Sequence, residues 1–415
     1  MSLLSFGTHS RKEKEPVVLI HIEGERVSGA LALRDCGDMH SPSGLCHAPK
    51  ILFSCDETFP LHRPNEDMNE AIVLVLKKVI ERIEKEGLPH LTFTKIGSLR
   101  ADAVLSVHCT FASPWFLSQT KIIREVKDTP EPFSEKSLDE LVLREAHTFC
   151  DAFATSEFGE RFHEELELVE KHIVGISLNG YETAQPKGKK YKEMDVALYF
   201  SIVGSELLKQ VRAQVQGVFR RAVIDFHTFP LVTVSVVRNV PSIPQHFLLV
   251  DVDGEVSDFT IVKKGVAMQT ITVPMGAEHF LRALKKGAGI SPETALSVLS
   301  LHGLDALSDE TKAKVAPLLK KASSEWQSSV SESIGLLSEE CFVPGTMIVV
   351  AEDRLQSFFA ELVSDHSLGH GASDGTPFSV ISLDRAFLKK HYEVDAPEVH
   401  AVNLLISALF ISKIG

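Results

Sequence analysis

The sequence lacks any run of about 20 apolar residues, the length that a membrane-spanning helix needs. Its most apolar stretch, "VHAVNLLISALFISKIG" at residues 399–415, is too short to span and is expected to form a buried core helix. No Cys-x-x-Cys pair occurs among the six cysteines, and no signal peptide is recognisable. These absences predict a cytoplasmic protein with reduced cysteines.

Metal-binding patterns are missing as well. The segment from Cys36 to Cys55 also holds His40, Cys46 and His47, but its spacings match no standard zinc pattern. Two further histidines belong to the glycine- and serine-rich stretch 364–377, which is expected to be a loop. We therefore predict no metal site.

The chain also lacks an excess of positive charge. It carries 56 acidic against 43 basic residues, with a formal net charge of −13. A protein that covers a nucleic-acid backbone needs a basic face, so nucleic acid is not an expected partner. The N-terminal segment combines three apolar residues with three basic ones: Leu3, Leu4, Phe6, Arg11, Lys12 and Lys14. It is either a disordered leader or a contact with an anionic membrane surface.

What is present is an alternation of strand and helix patterns, which is typical of α/β proteins. Two apolar strands at 16–33 surround a polar turn at 23–26, and another strand follows at 49–55. Apolar residues recur with helical spacing over 65–87. The second half of the chain opens with a similar pair of strands.

The turn within that second pair carries the most informative motif. In "LLVDVDGEVSDFTIVKKGVAMQTITVPMG", residues 248–276, an apolar strand ends in Asp251, a tight turn follows, and Asp258 begins the next strand. This is the layout of a phosphate-binding hairpin, in which backbone N–H groups of glycine turns hold the phosphate. Here most of the glycines are missing.

The order of elements resembles the actin-like ATPase superfamily, and within it the bacterial cell-division protein FtsA and the type IV pilus protein PilM. A second similarity covers "ISLNGYETAQPKGKKYKEMDVALYFSIVGSELLKQVRAQVQGV", which resembles part of the FtsA inserted subdomain. The hairpin matches the family's second phosphate hairpin at six positions: Asp251, Gly254, Ser257, Asp258, Pro274 and Gly276. The resemblance extends over nearly the whole chain.

The resemblance implies an α/β fold with two actin-like (ribonuclease H-like) lobes and an inserted small α+β subdomain. Within the second lobe, Pro317 is expected to kink or break a helical stretch. The implied division of the chain is a flexible leader at 1–15, the first lobe at 16–100, the inserted FtsA-type subdomain at 101–205, a return to the first lobe at 206–245, the second lobe with a reduced helical insert at 246–385, and a terminal core helix region at 386–415.

Several positions depart from the family in a way that opposes phosphate binding. In the first hairpin, His21 stands where the family has an acid, and Glu23 stands where it has glycine. In the second hairpin, Asp253 and Glu255 replace glycines. Ala351-Glu352 aligns with the Gly-Gly that packs on adenosine. Added bulk and negative charge at these places predict that no nucleotide binds productively.

If a nucleotide does bind, the resemblance assigns it to Asp251, Gly254, Ser257 and Asp258, with ATP and magnesium as the alternative to having no cofactor. No residue is assigned a catalytic role. The expectation is therefore that the protein is not an enzyme but a pseudo-ATPase.

Two classes of function follow from the resemblance. The first is an actin-like scaffold at the cytoplasmic side of the inner membrane, in cell division or type IV pilus assembly. Its partner would be a division filament or the tail of a pilus membrane protein. The second is an active ATPase or phosphotransferase, which the low glycine content of both hairpins disfavours. The choice between FtsA and PilM, peripheral membrane contact, and self-assembly through the inserted subdomain are left open.

Overall fold

The computed structural model describes residues 14–35, 49–58, 68–94, 104–154, 165–340, 342–364, 378–392 and 401–414. The leader at 1–13, the Cys36–His47 cluster and the stretch 365–377 lie outside these ranges. Within the ranges the strands are β1 (Lys14–Ile22), β2 (Arg26–Asp35), β3 (Lys50–Thr58), β4 (Ser106–Phe111), β5 (Phe116–Pro132), β6 (Leu166–Leu178), β7 (Tyr181–Glu182), β8 (Lys190–Gly204), β9 (Val223–Thr228), β10 (Phe247–Val252), β11 (Ser257–Lys263), β12 (Val266–Val273), β13 (Thr346–Ala351) and β14 (Ser379–Ser382).

The α-helices of the described ranges are α1 (Met68–Arg82), α2 (Glu135–Ala154), α3 (Ser205–Val218), α4 (Phe229–Val237), α5 (Ala277–Ala288), α6 (Pro292–Gly303), α7 (Asp309–Glu340), α8 (Gln356–Ser364), α9 (Arg385–His391) and α10 (Val402–Ile414). A π-helical turn at Ile83–Gly87 and a 3-10 helix at Leu88–Thr94 follow α1. None of the helices in the described ranges combines the length and the apolar character that crossing a membrane requires.

A five-stranded sheet in the order β3-β2-β1-β4-β9 forms the first lobe. β1 pairs antiparallel with β2 and parallel with β4, and β4 pairs parallel with β9. β1 is apolar on both faces because it lies in the middle of the sheet with a hydrophobic core on each side. The strand 106–111 thus belongs to this sheet, although sequence analysis placed it in the inserted subdomain. The other domain boundaries stay predictions.

The second sheet has nine strands in the order β14-β13-β10-β11-β12-β5-β8-β6-β7. Its part β14-β13-β10-β11-β12, the second lobe, repeats the first layout: an antiparallel hairpin whose first strand also has a parallel neighbour. The strands β5 to β8 and α2 form what we call the insert. β5 joins β12 at one residue pair, Gln119 with Gln269, and the Thr120 hydroxyl donates to Ala267 O nearby. The insert therefore extends the sheet of the second lobe.

Two apolar helices lie between the sheets. α4 and α10 share one hydrophobic core with β1 and β10. The α4 sequence "FPLVTVSVV" is rich in β-branched residues, which locally favour strands. It is nevertheless helical because Pro230 stands at the start of the helix and nearly every residue is buried against both sheets.

The outer faces of the sheets are covered by separate helices. α1 and α3 cover the first lobe, α5 to α8 cover the second lobe, and α2 covers the insert. α7 continues through Pro317, so the break considered there does not occur. The arrangement leaves the two hairpin turns facing each other at one end of the interlobe core.

Candidate functional site

The turns of the two hairpins meet between the lobes. The β1–β2 turn, the β10–β11 turn, the end of β13 and the start of α10 surround a small cavity. The residues that line it are Glu23, Glu25, Arg26, Val252, Asp253, Gly254, Ala277, Ala351, Glu352, Leu355, Phe359, Ala401, Val402 and Asn403. The fold therefore brings together both hairpins and the Ala351-Glu352 pair that the sequence singled out.

Of the four residues predicted to bind a nucleotide, only Gly254 lines this cavity. Asp251 and Asp258 are buried and stand opposite each other in the register of β10 and β11. The Ser257 hydroxyl donates to Met275 O at 2.7 Å and accepts from Trp326 Nε1 at 3.1 Å. These bonds hold Ser257 within the second lobe.

The N-terminus of α5 is closed by the turn beside it. Ala277 N donates to Asp253 O at 2.9 Å, and Glu278 N donates to Gly254 O at 2.7 Å. Gly276 permits this contact, because a Cβ there would stand 2.2 Å from Asp253 O. The backbone donors that hold phosphate at a helix N-terminus are therefore already bonded within the protein.

Glu25 reaches across the cleft from the first hairpin to the second. Its Oε1 lies only 1.9 Å from the point where a Cβ on Gly254 would stand. Burial, and then the nearby Glu278 carboxylate, raise the pKa of Glu25 to about 7. A carboxyl group of the protein itself thus fills the space beside the glycine turn where a phosphate would approach.

Glu23 is held by three different elements. Its Oε1 accepts a hydrogen bond from Asn403 Nδ2 at 2.8 Å and lies 3.3 Å from His21 Nε2. Its carbonyl oxygen accepts a hydrogen bond from Trp115 Nε1 at 2.9 Å. Burial alone would raise the pKa of Glu23, but His21 and Arg26 outweigh burial and lower it. Sequence analysis missed Asn403, although a lone amide in an apolar helix is a recognisable signal.

An ion pair also crosses the cleft. Arg26 Nη2 lies 3.3 Å from Glu352 Oε2, and Arg354 Nη2 lies 3.1 Å from Glu352 Oε1. Glu255 pairs instead with Arg282 on α5 at 2.5 Å. Glu255 does not line the cavity, but its charge still contributes to the raised pKa of Glu25. The expectation that it adds negative charge at the phosphate position stays a prediction.

Burial raises the pKa of the carboxyl groups in and beside the second turn. Burial, followed by Asp258 and Glu23, raises the pKa of Asp251 well above its ordinary value. Burial and Asp251 do the same to the pKa of Asp253, and burial raises the pKa of Asp258 to about 6. In the described part of the chain, no three or more His, Cys, Asp or Glu side chains are grouped so that they could hold a metal ion.

The cavity between the hairpins is small. Its volume is about 40 Å³, which is room for a few water molecules. Pockets that hold small-molecule ligands usually measure ~300–1,000 Å³. In this conformation the junction therefore has no space for a nucleotide.

A larger opening lies between the insert and the first lobe. This groove, of about 360 Å³, is lined by consecutive residues of β6 (167–172) and β9 (224–227) and by Leu208 and Arg212 of α3. β9 ends the first sheet, and in the described ranges β6 pairs only with β8 and, at its last residues, β7. The groove thus lies between two strands that each have an open edge.

A buried polar cluster holds the insert to the first lobe beneath this groove. Glu170 Oε2 accepts hydrogen bonds from Ser201 Oγ at 2.8 Å and from Thr228 N at 3.2 Å. Glu170 Oε1 lies 3.6 Å from His227 Nδ1, and His227 Nε2 lies 3.2 Å from His108 Nδ1. Sequence analysis did not find this cluster, because one charged residue in an alternating strand is the normal pattern of a half-exposed sheet.

Comparison with solved structures identifies the architecture. The PilM-PilN type IV pilus biogenesis complex matches with a TM-score of 0.56 at 12% identity, over 96% of this chain and 98% of that chain. The chain has the actin-like ATPase fold. At the level of the fold, this confirms the predicted resemblance and the two-lobed α/β class.

Two other solved structures are similar at lower scores. The ethanolamine utilization protein EutJ from Carboxydothermus hydrogenoformans has a TM-score of 0.42 at 10% identity, over 98% of this chain and 91% of that chain. The cytoplasmic domain of EpsL, an inner membrane component of the type II secretion system of Vibrio cholerae, has a TM-score of 0.34 at 8% identity, over 96% and 95%. No protein-family model and no curated protein matches the chain.

Proposed function

We propose that this protein is a non-catalytic adaptor with an actin-like fold, which binds a protein partner and does not use a nucleotide. The observation that supports this most is the filled junction between the hairpins. Glu23, Glu25 and Arg26 occupy it from one side, and the N-terminal amides of α5 are bonded to the turn on the other. A nucleotide would have to displace these contacts before it could bind.

Charge adds to this obstacle. Several carboxyl groups line the place where the phosphates would lie: Glu23, Glu25, Asp253 and Glu352. One ionised carboxylate about 5 Å from a phosphate charge costs roughly 3 kcal/mol at an effective dielectric constant of about 20. Micromolar affinity corresponds to about 8 kcal/mol. Burial keeps the proton on Asp253 and raises the pKa of Glu25 to about 7, so the repulsion comes mainly from Glu23 and Glu352. Each such contact offsets about 3 of the roughly 8 kcal/mol that micromolar binding would supply.

The groove between β6 and β9 is the surface that we propose for the partner. An extended segment can add to an open strand edge through backbone hydrogen bonds, while its side chains enter pockets on the floor. Apolar residues of all three elements lie along the groove, among them Leu168, Leu208 and Phe226. We therefore propose that the groove takes an extended segment with apolar residues.

The partner in the similar solved structure bears on the choice between the two assembly systems. That structure is a complex of PilM with PilN in type IV pilus biogenesis. We accordingly prefer the tail of a membrane protein of an assembly system over a division filament as the partner. Such a tail would hold the adaptor at the cytoplasmic face of the inner membrane.

One observation favours the rival function, an active ATPase. Asp251 and Asp258 stand opposite each other at the ends of β10 and β11, where the resemblance places nucleotide-binding acids. The raised pKa of Asp251 means that this carboxyl would have to lose its proton, and the cleft would have to open, before the pair could act.

Selection of random decapeptides displayed on phage, with the full chain as bait, tests the adaptor proposal. We expect enrichment of peptides with apolar residues at alternate positions. Lys171→Trp, which fills the groove from an exposed position of β6, should reduce their binding at least tenfold. Lys187→Trp, at another exposed position of the insert, should leave it unchanged. No enrichment, or enrichment that Lys171→Trp does not affect, would contradict the assignment of the groove.

A further inference from the structure

The contact of Glu25 with Gly254 joins two turns that belong to different lobes. The Glu25 Oε1 position overlaps the place of any side chain at residue 254, so the carboxyl group lies directly on the glycine backbone. The β10–β11 turn, which contains Gly254, also accepts backbone hydrogen bonds from the first residues of α5. Glu25 is thus inserted between the first hairpin and the N-terminus of a helix in the second lobe.

We propose that Glu25 is a proton-operated latch: its neutral carboxyl lets the two hairpins close on each other, and its ionised carboxylate loosens them. This goes beyond the adaptor function, because it supplies a control of cleft opening in a protein whose nucleotide position is filled.

The charges around Glu25 are mostly of its own sign. The groups that face it are Glu278 of α5, Asp253 and Glu255 of the β10–β11 turn, Glu23 and Arg26 of its own hairpin, and Arg282 of α5. Both arginines are engaged with other carboxylates: Arg26 with Glu352 at 3.3 Å, and Arg282 with Glu255 at 2.5 Å. An ionised Glu25 is therefore repelled by more carboxylates than the cations can balance.

Proton linkage gives the size of the effect. The pKa of Glu25 is about 7 in the closed cleft, against an ordinary value of 4.5. The closed form then binds the proton more tightly than the open form, so closure is favoured at low pH and is lost as pH rises towards and through 7. Between pH 6 and pH 8 this difference raises the opening equilibrium about tenfold.

Amide hydrogen exchange of the full chain, measured by mass spectrometry at pH 6 and pH 8 and corrected for intrinsic rates, tests the latch. Protection of the turns at 22–27 and 252–257 should fall about tenfold at pH 8 in the wild type. In Glu25→Gln, which mimics the neutral carboxyl, the protection of these turns at pH 6 and at pH 8 should differ by less than twofold. The control Glu332→Gln, at an exposed position of α7, should behave like the wild type.

A second variant covers the case in which Glu25→Gln does not fold. Glu278→Gln keeps the latch residue but removes the neighbouring charge that repels it most. The pKa of Glu25 in the closed cleft should then fall, and the midpoint of the loss of protection should move to lower pH. Equal protection of the wild-type turns at pH 6 and pH 8 would overturn the proposal. So would the same loss of protection in Glu25→Gln as in the wild type.

Discussion

At the scale of single residues, the junction between the hairpins is governed by how each buried carboxyl group is neutralised. Glu23 is buried, but its contacts with His21, Arg26 and Asn403 outweigh burial and lower its pKa, so its ionised form is favoured. Asp251 is buried and has the carboxylates Asp258 and Glu23 as neighbours, so its pKa is raised and it keeps its proton. The sequence shows where these acids stand, but it cannot show which of them lies beside a cation, because the partners come from distant parts of the chain.

Asp258 gives a test of this electrostatic balance. Its pKa is about 6 in the folded protein and 3.8 ordinarily, so folding binds its proton more tightly. Stability is therefore lost as pH rises from about 4 to about 6, by up to about 3 kcal/mol. Urea unfolding at pH 4 and pH 7.5 measures how much the free energy of unfolding falls between these two pH values. In Asp258→Asn this fall should be smaller than in the wild type, by up to about 3 kcal/mol. The exposed control Asp139→Asn should show the same fall as the wild type, and an unchanged pH dependence in Asp258→Asn would refute the account of Asp258.

Arg26 should contribute more to the stability of the protein than Arg354, although both contact the carboxylate of Glu352. The Arg26 side chain is 23% exposed and also faces Glu23 and Glu25, whereas the Arg354 side chain is 61% exposed. Arg26→Gln removes the arginine that faces Glu23 and Glu25, and we expect it to lower the free energy of unfolding by about 2 kcal/mol. Arg354→Gln should change it by less than about 0.5 kcal/mol. Equal effects in chemical denaturation would show that the cross-cleft pair has no special role.

At the scale of elements, local pattern predicts the hairpins well and the interlobe packing poorly. β1, β2, β10 and β11 are apolar runs around polar turns, and they form the predicted hairpins. α4 is different, because its β-branched sequence favours a strand and only burial between two sheets makes it a helix. The same reason applies to the site: a turn sequence indicates a phosphate hairpin, but only tertiary contact shows that Glu25 and α5 fill it.

Gly276 is the element-scale position most sensitive to substitution. A Cβ there would meet three carbonyl oxygens of the β10–β11 turn at 2.2 to 2.7 Å, and backbone cannot give way as a flexible side chain can. We expect Gly276→Ala to destabilise the protein by about 3 kcal/mol or more, measured by thermal and urea unfolding. Gly335→Ala, in open space on α7, is the matched control and should stabilise by about 0.5–1 kcal/mol. A mild effect of Gly276→Ala would mean that the turn is not packed on α5 as described.

At the scale of the whole molecule, the insert connects parts that could otherwise move separately. It continues the sheet of the second lobe through β5 and β12, and it is bonded to the first lobe through Glu170 and Thr228. The lobes are also joined by Arg26 with Glu352 and by Glu23 with Asn403. The actin-like fold was predictable from the order of elements, whereas these connections depend on single residues that no repeat or motif marks.

Calorimetric titration of the full chain with Mg-ATP tests the central claim most directly, namely that the actin-like cleft is filled by the protein's own side chains. The account predicts no binding tighter than about 100 μM, which corresponds to about 5.5 kcal/mol. A micromolar dissociation constant would contradict it, and ATP turnover that Asp251→Ala abolishes would in addition establish that the protein is an ATPase.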